Sequence, residues 1–174
     1  MTEDERRNSF ATGFARQARS DWQVFQLLQA ERGVPTCHSL HYLQMACEKI
    51  AKAYRLRDTD SPIDTLLSRH VGSPKFVSAL VKSPRVLKRY AGKSAQLQTF
   101  ERQASVIART IETLAPSVDR GSQPENTEYP WESDEVVRTP CEYSFPNLSL
   151  LWEPSGRAFL KLVAEALRDF DEVS

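Results

Sequence analysis

The stretch of residues 38–57 reads HSLHYLQMACEKIAKAYRLR and shows the most regular helical spacing near the start of the chain. Its apolar side chains recur at spacings of three and four residues, which places them on one stripe of an α-helix. The stripe consists of Leu40, Leu43, Cys47, Ile50 and Tyr54. Because such a stripe is stable only when it is buried, we expect this helix to lie at the centre of the core.

A row of mostly polar side chains runs beside this stripe with the same spacing. It consists of His41, Met45, Glu48, Lys52 and Arg55. In one interpretation the row faces solvent, and an exposed ion pair between Glu48 and Lys52 contributes about 0.3–0.5 kcal/mol. In the other, Glu48 and either Lys49 or Lys52 are partly buried against a neighbouring helix and fix how it docks. The pattern favours the solvent-facing row and leaves the buried one open.

Two short motifs in this part of the chain resemble HEPN domains, the nucleotide-binding modules named for higher eukaryotes and prokaryotes. Residues 44–53, QMACEKIAKA, resemble the family's second helix, which carries a glutamine, then Glu-Lys, then Lys-Ala. Residues 18–22, ARSDW, resemble its first helix, in which an alanine leads into an aspartate and a hydrophobic residue. The resemblance covers about residues 10–115 and implies a single helical domain over residues 1–174.

The resemblance also implies a function. It indicates a bacterial or archaeal binding module whose ligand is a nucleotide, RNA or a partner protein, with Glu48, Lys49 and Lys52 as candidate binding residues. HEPN-like proteins associate with nucleotidyltransferases, toxin–antitoxin pairs or defence systems, and their domains often dimerise. A partner such as a nucleotidyltransferase and a homodimer are therefore expected, and no cofactor is implied. A purely structural homodimer is an alternative.

The composition suits a single globular domain. At 174 residues the chain is long enough to bury about two-thirds of its unfolded surface. It has no apolar run of about 18 residues and no apolar leader, which predicts a cytoplasmic protein without a membrane span. The cysteines Cys37, Cys47 and Cys141 are expected to be reduced thiols, because an odd count at irregular spacing does not suit a disulfide framework.

The predicted bundle has about five helices, and turn signals mark where helical segments begin and end. Residues 2–9 are predicted to be frayed because they contain no apolar side chain, and the first helix is predicted over residues 10–31. Gly33 and Pro35 end this helix. The connection to the next helix is short, so the first two helices are predicted to be antiparallel neighbours.

Later signals place a short helix or turn at residues 63–70 and either one kinked helix or two short ones at residues 74–90. Uninterrupted helical spacing at residues 94–115 predicts a bundle helix. Ser155 is predicted to cap the last helix. Residues 169–172 are predicted to fray, because their carboxylates lie at the negative pole of that helix.

Residues 117–153 break this pattern with frequent prolines and little helical spacing. Their aromatic side chains are too many to remain in water, so most are expected to pack onto the bundle. A short strand is predicted at residues 135–138. The segment is interpreted as a surface strap or, alternatively, as a pocket lid or partner-binding arm, with Trp131 as its candidate binding residue. The predicted fold is thus an all-α, antiparallel helical bundle with a long irregular, aromatic-containing segment before the last helix.

The most basic stretch of the chain contains Lys82, Arg85, Lys88, Arg89 and Lys93. The formal net charge of the whole chain is zero, so affinity for nucleic acid must come from such a local patch. A solvated face is the simplest interpretation. The alternative is a phosphate-contacting surface for RNA or a nucleotide, in which Lys88 and Arg89 are the candidate contacts.

One pair of residues suggests catalysis. HEPN ribonucleases share an arginine that is followed a few residues later by a histidine. Arg32 and His38 resemble this pair in their spacing. A histidine can move the 2′-hydroxyl proton while an arginine holds the scissile phosphate, which describes a metal-independent endoribonuclease. The family's motif lies near the start of a late helix, however, whereas this pair lies between the first two helices. A divergent ribonuclease is therefore the alternative to a non-catalytic module.

Other catalytic or metal-binding arrangements are not predicted. Cys37, His38 and His41 lack a second pair of ligands at zinc spacing. His70 is interpreted as a helix-capping residue. The sequence contains neither a Gly-rich phosphate loop nor a Ser-His-Asp order, which disfavours the enzyme classes that depend on them.

Overall fold

The computed structural model describes residues 1–57, 62–68, 73–118 and 121–172, and it confirms the all-α fold class. The α-helices are α1 (Glu3–Ala30), α2 (Thr36–Arg57), α3 (Ile63–Ser68), α4 (Ser73–Val81), α5 (Pro84–Arg89), α6 (Ser94–Thr113) and α7 (Pro154–Asp169). Between α6 and α7 the chain forms β1 (Trp131–Ser133) and β2 (Val136–Arg138). Short 3₁₀ turns cover Pro140–Glu142, Pro146–Trp152 and Phe170–Glu172. The prediction for His70 lies outside the described residues.

Helix α2 lies at the centre of the core, as its apolar stripe predicts. Leu40, Leu43 and Ile50 are completely buried, and Cys47 is nearly so. The helix has its most extensive contacts with α1 and also contacts α3, α4, α6 and α7. The prediction that the other elements pack around this helix is therefore confirmed.

The start of α1 shows that the prediction of a frayed segment at residues 2–9 is wrong. The Thr2 hydroxyl accepts a hydrogen bond from the Glu5 backbone N–H at 3.2 Å, and the Glu5 carboxylate accepts one from the Thr2 N–H at 2.8 Å. This reciprocal capping box satisfies backbone donors that the first helical turn leaves free. A local polar cap, rather than an apolar anchor, orders this segment.

Turn-forming residues in the sequence mark the connections between the helices. Gly33 lies between α1 and α2 with a φ of 85°, a left-handed conformation that suits glycine. Residues 74–90 form two short helices rather than one kinked helix, because Pro84 starts a new first turn after Ser83. Helix α6 confirms the predicted bundle helix.

The start of α7 corrects the predicted cap. Glu153 occupies the position before the helix, and Pro154 forms its first turn. Ser155 lies inside the helix and does not cap it. Proline suits the first helical position because its fixed φ is helical and its missing N–H has no partner there, so it outweighs the capping preference of serine.

The end of α7 is also ordered, so the prediction that it frays is wrong. Phe170 is fully buried and packs edge-on against the Tyr54 ring, with centroids 5.2 Å apart. Arg19 Nε donates to the Leu167 carbonyl at 2.9 Å, and the Tyr54 hydroxyl donates to the Ala166 carbonyl at 3.0 Å. These bonds satisfy carbonyls that the last helical turn leaves free, and they offset the unfavourable acidic charges.

Residues 117–153 contain a small hairpin rather than an entirely irregular chain. We call the described residues 121–153 the strap. The strand predicted at residues 135–138 is confirmed as β2, which pairs antiparallel with β1. Asp134 and Glu135 join the strands with positive φ angles of 54° and 61°, as in a type I′ hairpin turn.

The aromatic side chains of the strap mostly pack, as predicted. Trp131 and Phe145 are buried and form a three-ring cluster with Tyr143, in which the ring centroids lie 5.0, 5.1 and 6.4 Å apart. Tyr129 and Trp152 are the exceptions, with 54% and 45% of their surface exposed. Trp131 and Phe145 belong to the same buried core as the bundle helices, and Tyr143 packs against it, so the strap is packed onto the bundle and leaves two rings on its surface.

Candidate functional site

The candidate binding residues of α2 lie in a buried polar cluster. Lys52 Nζ lies 3.0 Å from Glu48 Oε1, and only 8% and 12% of these two side chains is exposed. The Gln44 amide donates to Glu48 Oε2 at 2.9 Å, and Lys52 Nζ lies 5.6 Å from the centre of the Phe14 ring on α1. The interpretation of a partly buried polar row is confirmed, and the solvent-facing interpretation is wrong.

Lys49 forms a second polar link between α1 and α2. Its ammonium lies 2.5 Å from Asp21 Oδ2, and the Gln17 amide donates to Asp21 Oδ1 at 3.0 Å. A shift of α1 along α2 would separate Lys49 from Asp21, and leaving one partner of a buried ion pair alone is strongly unfavourable. These contacts therefore fix the register of the two helices. The structure therefore brings Glu48, Lys49 and Lys52 together, but each of them is engaged within the protein.

The basic stretch around α5 is partly neutralised by carboxylates of α7. Arg89 lies 2.5 Å from Glu165, and Arg85 forms an ion pair with Asp169. Lys88 is exposed. Of the two candidate phosphate contacts, Lys88 faces solvent and Arg89 ties α5 to α7. An arginine held in this way is less available to a phosphate.

Arg32 and His38 lie at one end of the α1–α2 hairpin. Arg32 is in the turn that follows α1. His38 is in the first turn of α2, where its backbone N–H donates to the Pro35 carbonyl at 3.1 Å. Both side chains are exposed. A reaction at this pair would therefore take place in open solvent.

Trp131 lines an open groove where the strap meets the end of α6. We call it the strap groove; its volume is about 770 Å³. Proline and aromatic side chains form much of its wall. The lining residues are Pro116, Ser117, Pro124, Asn126, Tyr129, Pro130 and Trp131.

Asn126 orders the loop that carries Tyr129. Its side chain is buried, and its Oδ1 accepts hydrogen bonds from the backbone N–H groups of Glu128 at 2.9 Å and Tyr129 at 2.7 Å. Its Nδ2 donates to the Pro124 carbonyl at 3.1 Å. Sequence reasoning named Tyr129 only among the aromatic residues expected to pack, and it missed Asn126, although an asparagine soon after a proline is a turn signal.

A second recess, of about 520 Å³, adjoins the strap groove and shares Pro124 with it. We call it the Glu125 pocket. It lies between α6 and the strap, and hydroxyl, amide and carboxylate groups contribute much of its wall. The polar residues that line it include Thr110, Thr113, Gln123, Glu125, Ser133 and Asn147. Sequence reasoning also missed this pocket.

The Glu125 carboxylate is held in place by neutral donors. The Tyr143 hydroxyl donates to Oε1 at 2.8 Å, and Asn147 Nδ2 lies 3.2 Å from each carboxylate oxygen. Burial of the phenol, its hydrogen bond to Glu125 and the charge of Glu125 together raise the pKa of Tyr143 to about 12. The carboxylate is thus oriented by its neighbours without being neutralised by them.

The strap is attached to the bundle close to both recesses. His41 Nδ1 on α2 lies 3.7 Å from Glu128 Oε1 and 3.5 Å from Thr127 Oγ1. The Thr127 backbone N–H donates to the Leu114 carbonyl, just after α6, at 3.4 Å. Contacts to α2 and to the end of α6 therefore hold this part of the strap from two sides.

The strap carries a strong excess of negative charge. Its one basic side chain is Arg138. Its acidic side chains are Glu125, Glu128, Glu132, Asp134, Glu135, Glu142 and Glu153. Such a surface repels phosphate and attracts cations.

Three further findings bear on the site. In the described part of the chain, no group of three or more His, Cys, Asp or Glu side chains is arranged to hold a metal ion. None of the helices in the described ranges is both long enough and apolar enough to cross a membrane. Comparisons with family models, curated proteins and solved structures gave no significant match.

Proposed function

We propose that this chain is a non-catalytic, HEPN-like interaction module that binds a partner protein through the strap groove. The observation that carries the proposal is the loop at Asn126, whose hydrogen bonds fix the backbone of Tyr129, while the half-exposed Tyr129 ring lines the groove with Pro130 and Trp131. A large ring on an ordered loop is a favourable anchor, because little of its freedom is lost on binding.

The charges favour a protein over the other ligands that the HEPN resemblance implies. The strap repels phosphate, and Arg85 and Arg89 are engaged by α7. Lys49 and Lys52 are engaged by Asp21 and Glu48. We therefore propose a protein as the ligand, rather than a nucleotide or RNA. A cytoplasmic protein such as a bacterial or archaeal nucleotidyltransferase is an example of such a partner.

The proposal is tested by selecting binders from a random-peptide phage library. The peptides are measured against the wild type, Tyr129→Ser and Trp152→Ser. Trp152→Ser is the matched control, because Trp152 is also a half-exposed aromatic residue of the strap but does not line the groove. We expect the selected peptides to lose about tenfold or more in affinity for Tyr129→Ser alone.

Two outcomes contradict the proposal. If no peptide is enriched, the strap groove is not a peptide-docking site. If Tyr129→Ser and Trp152→Ser weaken binding equally, the groove has no special part in it. In either case the half-exposed Tyr129 ring would no longer support the proposed function.

The ribonuclease alternative has one observation in its favour, which is that Arg32 and His38 are both exposed near the same turn. It is tested by incubating an RNA pool with the wild type, Arg32→Ala and His38→Ala in the absence of metal. We expect no cleavage above background. Cleavage by the wild type that both substitutions abolish would replace the proposed function with a divergent ribonuclease.

A further inference from the structure

We infer that the Glu125 pocket accepts the side chain of a lysine or arginine, so that the partner segment docking on the strap is basic. The inference rests on the proposed function, because it names the chemistry of the partner. Three properties carry it: the acceptors on the pocket wall, the charge of Glu125, and the position of the pocket beside the strap groove.

Three of the hydroxyl groups on the pocket wall present acceptors. Thr110 Oγ1 donates to the Val106 carbonyl at 3.1 Å, and Thr113 Oγ1 donates to the Thr110 carbonyl at 2.9 Å. Ser133 Oγ donates to Asp134 Oδ2 at 3.2 Å. Because these hydrogens point at neighbouring oxygens, the hydroxyls have only lone pairs left for a ligand. A group that carries several donors, such as an ammonium or guanidinium, matches this wall.

The charge of Glu125 selects a cationic group. Its hydrogen-bond partners, Tyr143 and Asn147, are neutral, and no lysine or arginine in the described ranges forms an ion pair with it. Arg138 lowers the pKa of Tyr143 against the stronger raising effects, but it forms no such pair either. A lysine or arginine from a partner would supply the missing counter-charge through a charge-assisted hydrogen bond.

The position of the pocket suits a side chain of a longer segment. The pocket and the strap groove share Pro124, so a chain lying along Tyr129 and Trp131 passes the mouth of the pocket. Side chains of an extended peptide point alternately to opposite sides, and one of them can enter a pocket beside the groove. The other acidic residues of the strap attract the same basic segment over longer distances.

The test uses acetylated hexaarginine as the probe and hexacitrulline as its neutral isostere, with affinities measured by titration calorimetry at low salt. Glu125→Gln removes the charge but keeps acceptor oxygen for Tyr143 and Asn147. Glu132→Gln is the matched control, because it removes one charge from an exposed residue of the same strap outside the pocket. Circular dichroism shows whether each variant is folded.

We expect the wild type to bind hexaarginine about tenfold more tightly than hexacitrulline. Glu125→Gln should lose about tenfold in affinity for hexaarginine, and Glu132→Gln less than about twofold. Equal losses in the two variants would overturn the inference, because the attraction would then come from the general acidity of the strap. Equal affinity for the two peptides would also overturn it.

The inference and the proposed function can fail separately. Selected peptides that depend on Tyr129 but contain no lysine or arginine overturn the inference and leave the proposed function standing. Hexaarginine binding that depends on Glu125, with no peptide that depends on Tyr129, overturns the proposed function and with it the partner named here. Self-association of the protein that Glu125→Gln abolishes would make a second copy the occupant and would overturn the assignment to another protein.

Discussion

The Lys49 ammonium and the Asp21 carboxylate lie 2.5 Å apart across the interface of α1 and α2, and both side chains are largely buried. Asp21 lies in residues 18–22 and Lys49 lies in residues 44–53, the two motifs from which the proposed HEPN-like character comes. In this chain the two motifs therefore meet in one ion pair. Their direct physical effect is to lock the helical hairpin on which the rest of the fold is packed.

Lys49→Met should destabilise the protein by about 2–4 kcal/mol, because it leaves the buried Asp21 carboxylate without a cation. The free energy of unfolding is measured by urea titration. Arg16→Met, an exposed substitution on α1, is the control and should change it by less than about 0.5 kcal/mol. Adding Asp21→Asn to Lys49→Met should restore part of the loss. Equal stability of the two single variants would contradict a structural role for this ion pair.

Tyr54→Phe should lower the melting temperature by about 2–4 °C, because it removes the hydrogen bond to the Ala166 carbonyl but keeps the packed ring. Tyr42→Phe is the matched control, since Tyr42 is also partly buried but its hydroxyl makes no hydrogen bond in the described ranges. Differential scanning calorimetry compares the two. An unchanged melting temperature for Tyr54→Phe would show that the end of α7 is held by other contacts.

The three thiols should differ sharply in reactivity. Burial raises the pKa of Cys47 to about 12, and burial together with the nearby Cys141 raises that of Cys37. Cys141 is exposed. At mildly alkaline pH, iodoacetamide should therefore alkylate Cys141 first, Cys37 slowly and Cys47 only after unfolding, as read by peptide mass spectrometry. Rapid labelling of Cys47 in the folded protein would contradict its burial.

The same pKa shift predicts how stability depends on pH. The folded-state pKa of Cys47 lies above its ordinary value of 9.0, so folding favours the neutral thiol. Its contribution to stability is complete below about pH 9 and is lost as the pH rises toward 12. Cys47→Ala should reduce the loss of stability at alkaline pH, because the group that causes this part of the loss is absent. An unchanged pH profile would show that Cys47 does not contribute to the loss.

Tyr143 should ionise only at strongly alkaline pH, since its pKa is raised from 10.0 to about 12. Ultraviolet absorbance during an alkaline titration follows this directly. Glu125→Gln should lower that pKa toward its ordinary value of 10.0, because the substitution removes the charge that opposes the phenolate. Stability linked to this group is complete below about pH 10 and is lost as the pH rises through 12. Ionisation of Tyr143 near its ordinary pKa of 10.0 would contradict the hydrogen bond to Glu125.

The central helix could be predicted from sequence because its apolar residues share one period. The burial of Glu48 and Lys52 could not, because a polar row looks the same in sequence whether it faces water or a neighbouring helix. What decides between them is contact with α1, as at Asp21, which lies 28 residues from Lys49 along the chain. Capping at Thr2 was readable from sequence but was overlooked.

Only part of the candidate site could be predicted from the sequence. Trp131 could be predicted as important because an aromatic residue in a proline-rich segment must pack somewhere. The Glu125 pocket could not be predicted, because it forms where Asn147 and Glu125 of the strap meet Thr110 of α6. These residues come from separate parts of the chain, and no local pattern places them together.

Hydrogen–deuterium exchange with a selected peptide is the most direct test of the proposed function, since it shows which surface the partner covers. We expect protection from exchange at residues 124–131, which border the strap groove, and none at residues 82–93 in the basic stretch. Protection confined to residues 82–93, with the strap unchanged, would contradict it and move the binding surface to the basic stretch around α5.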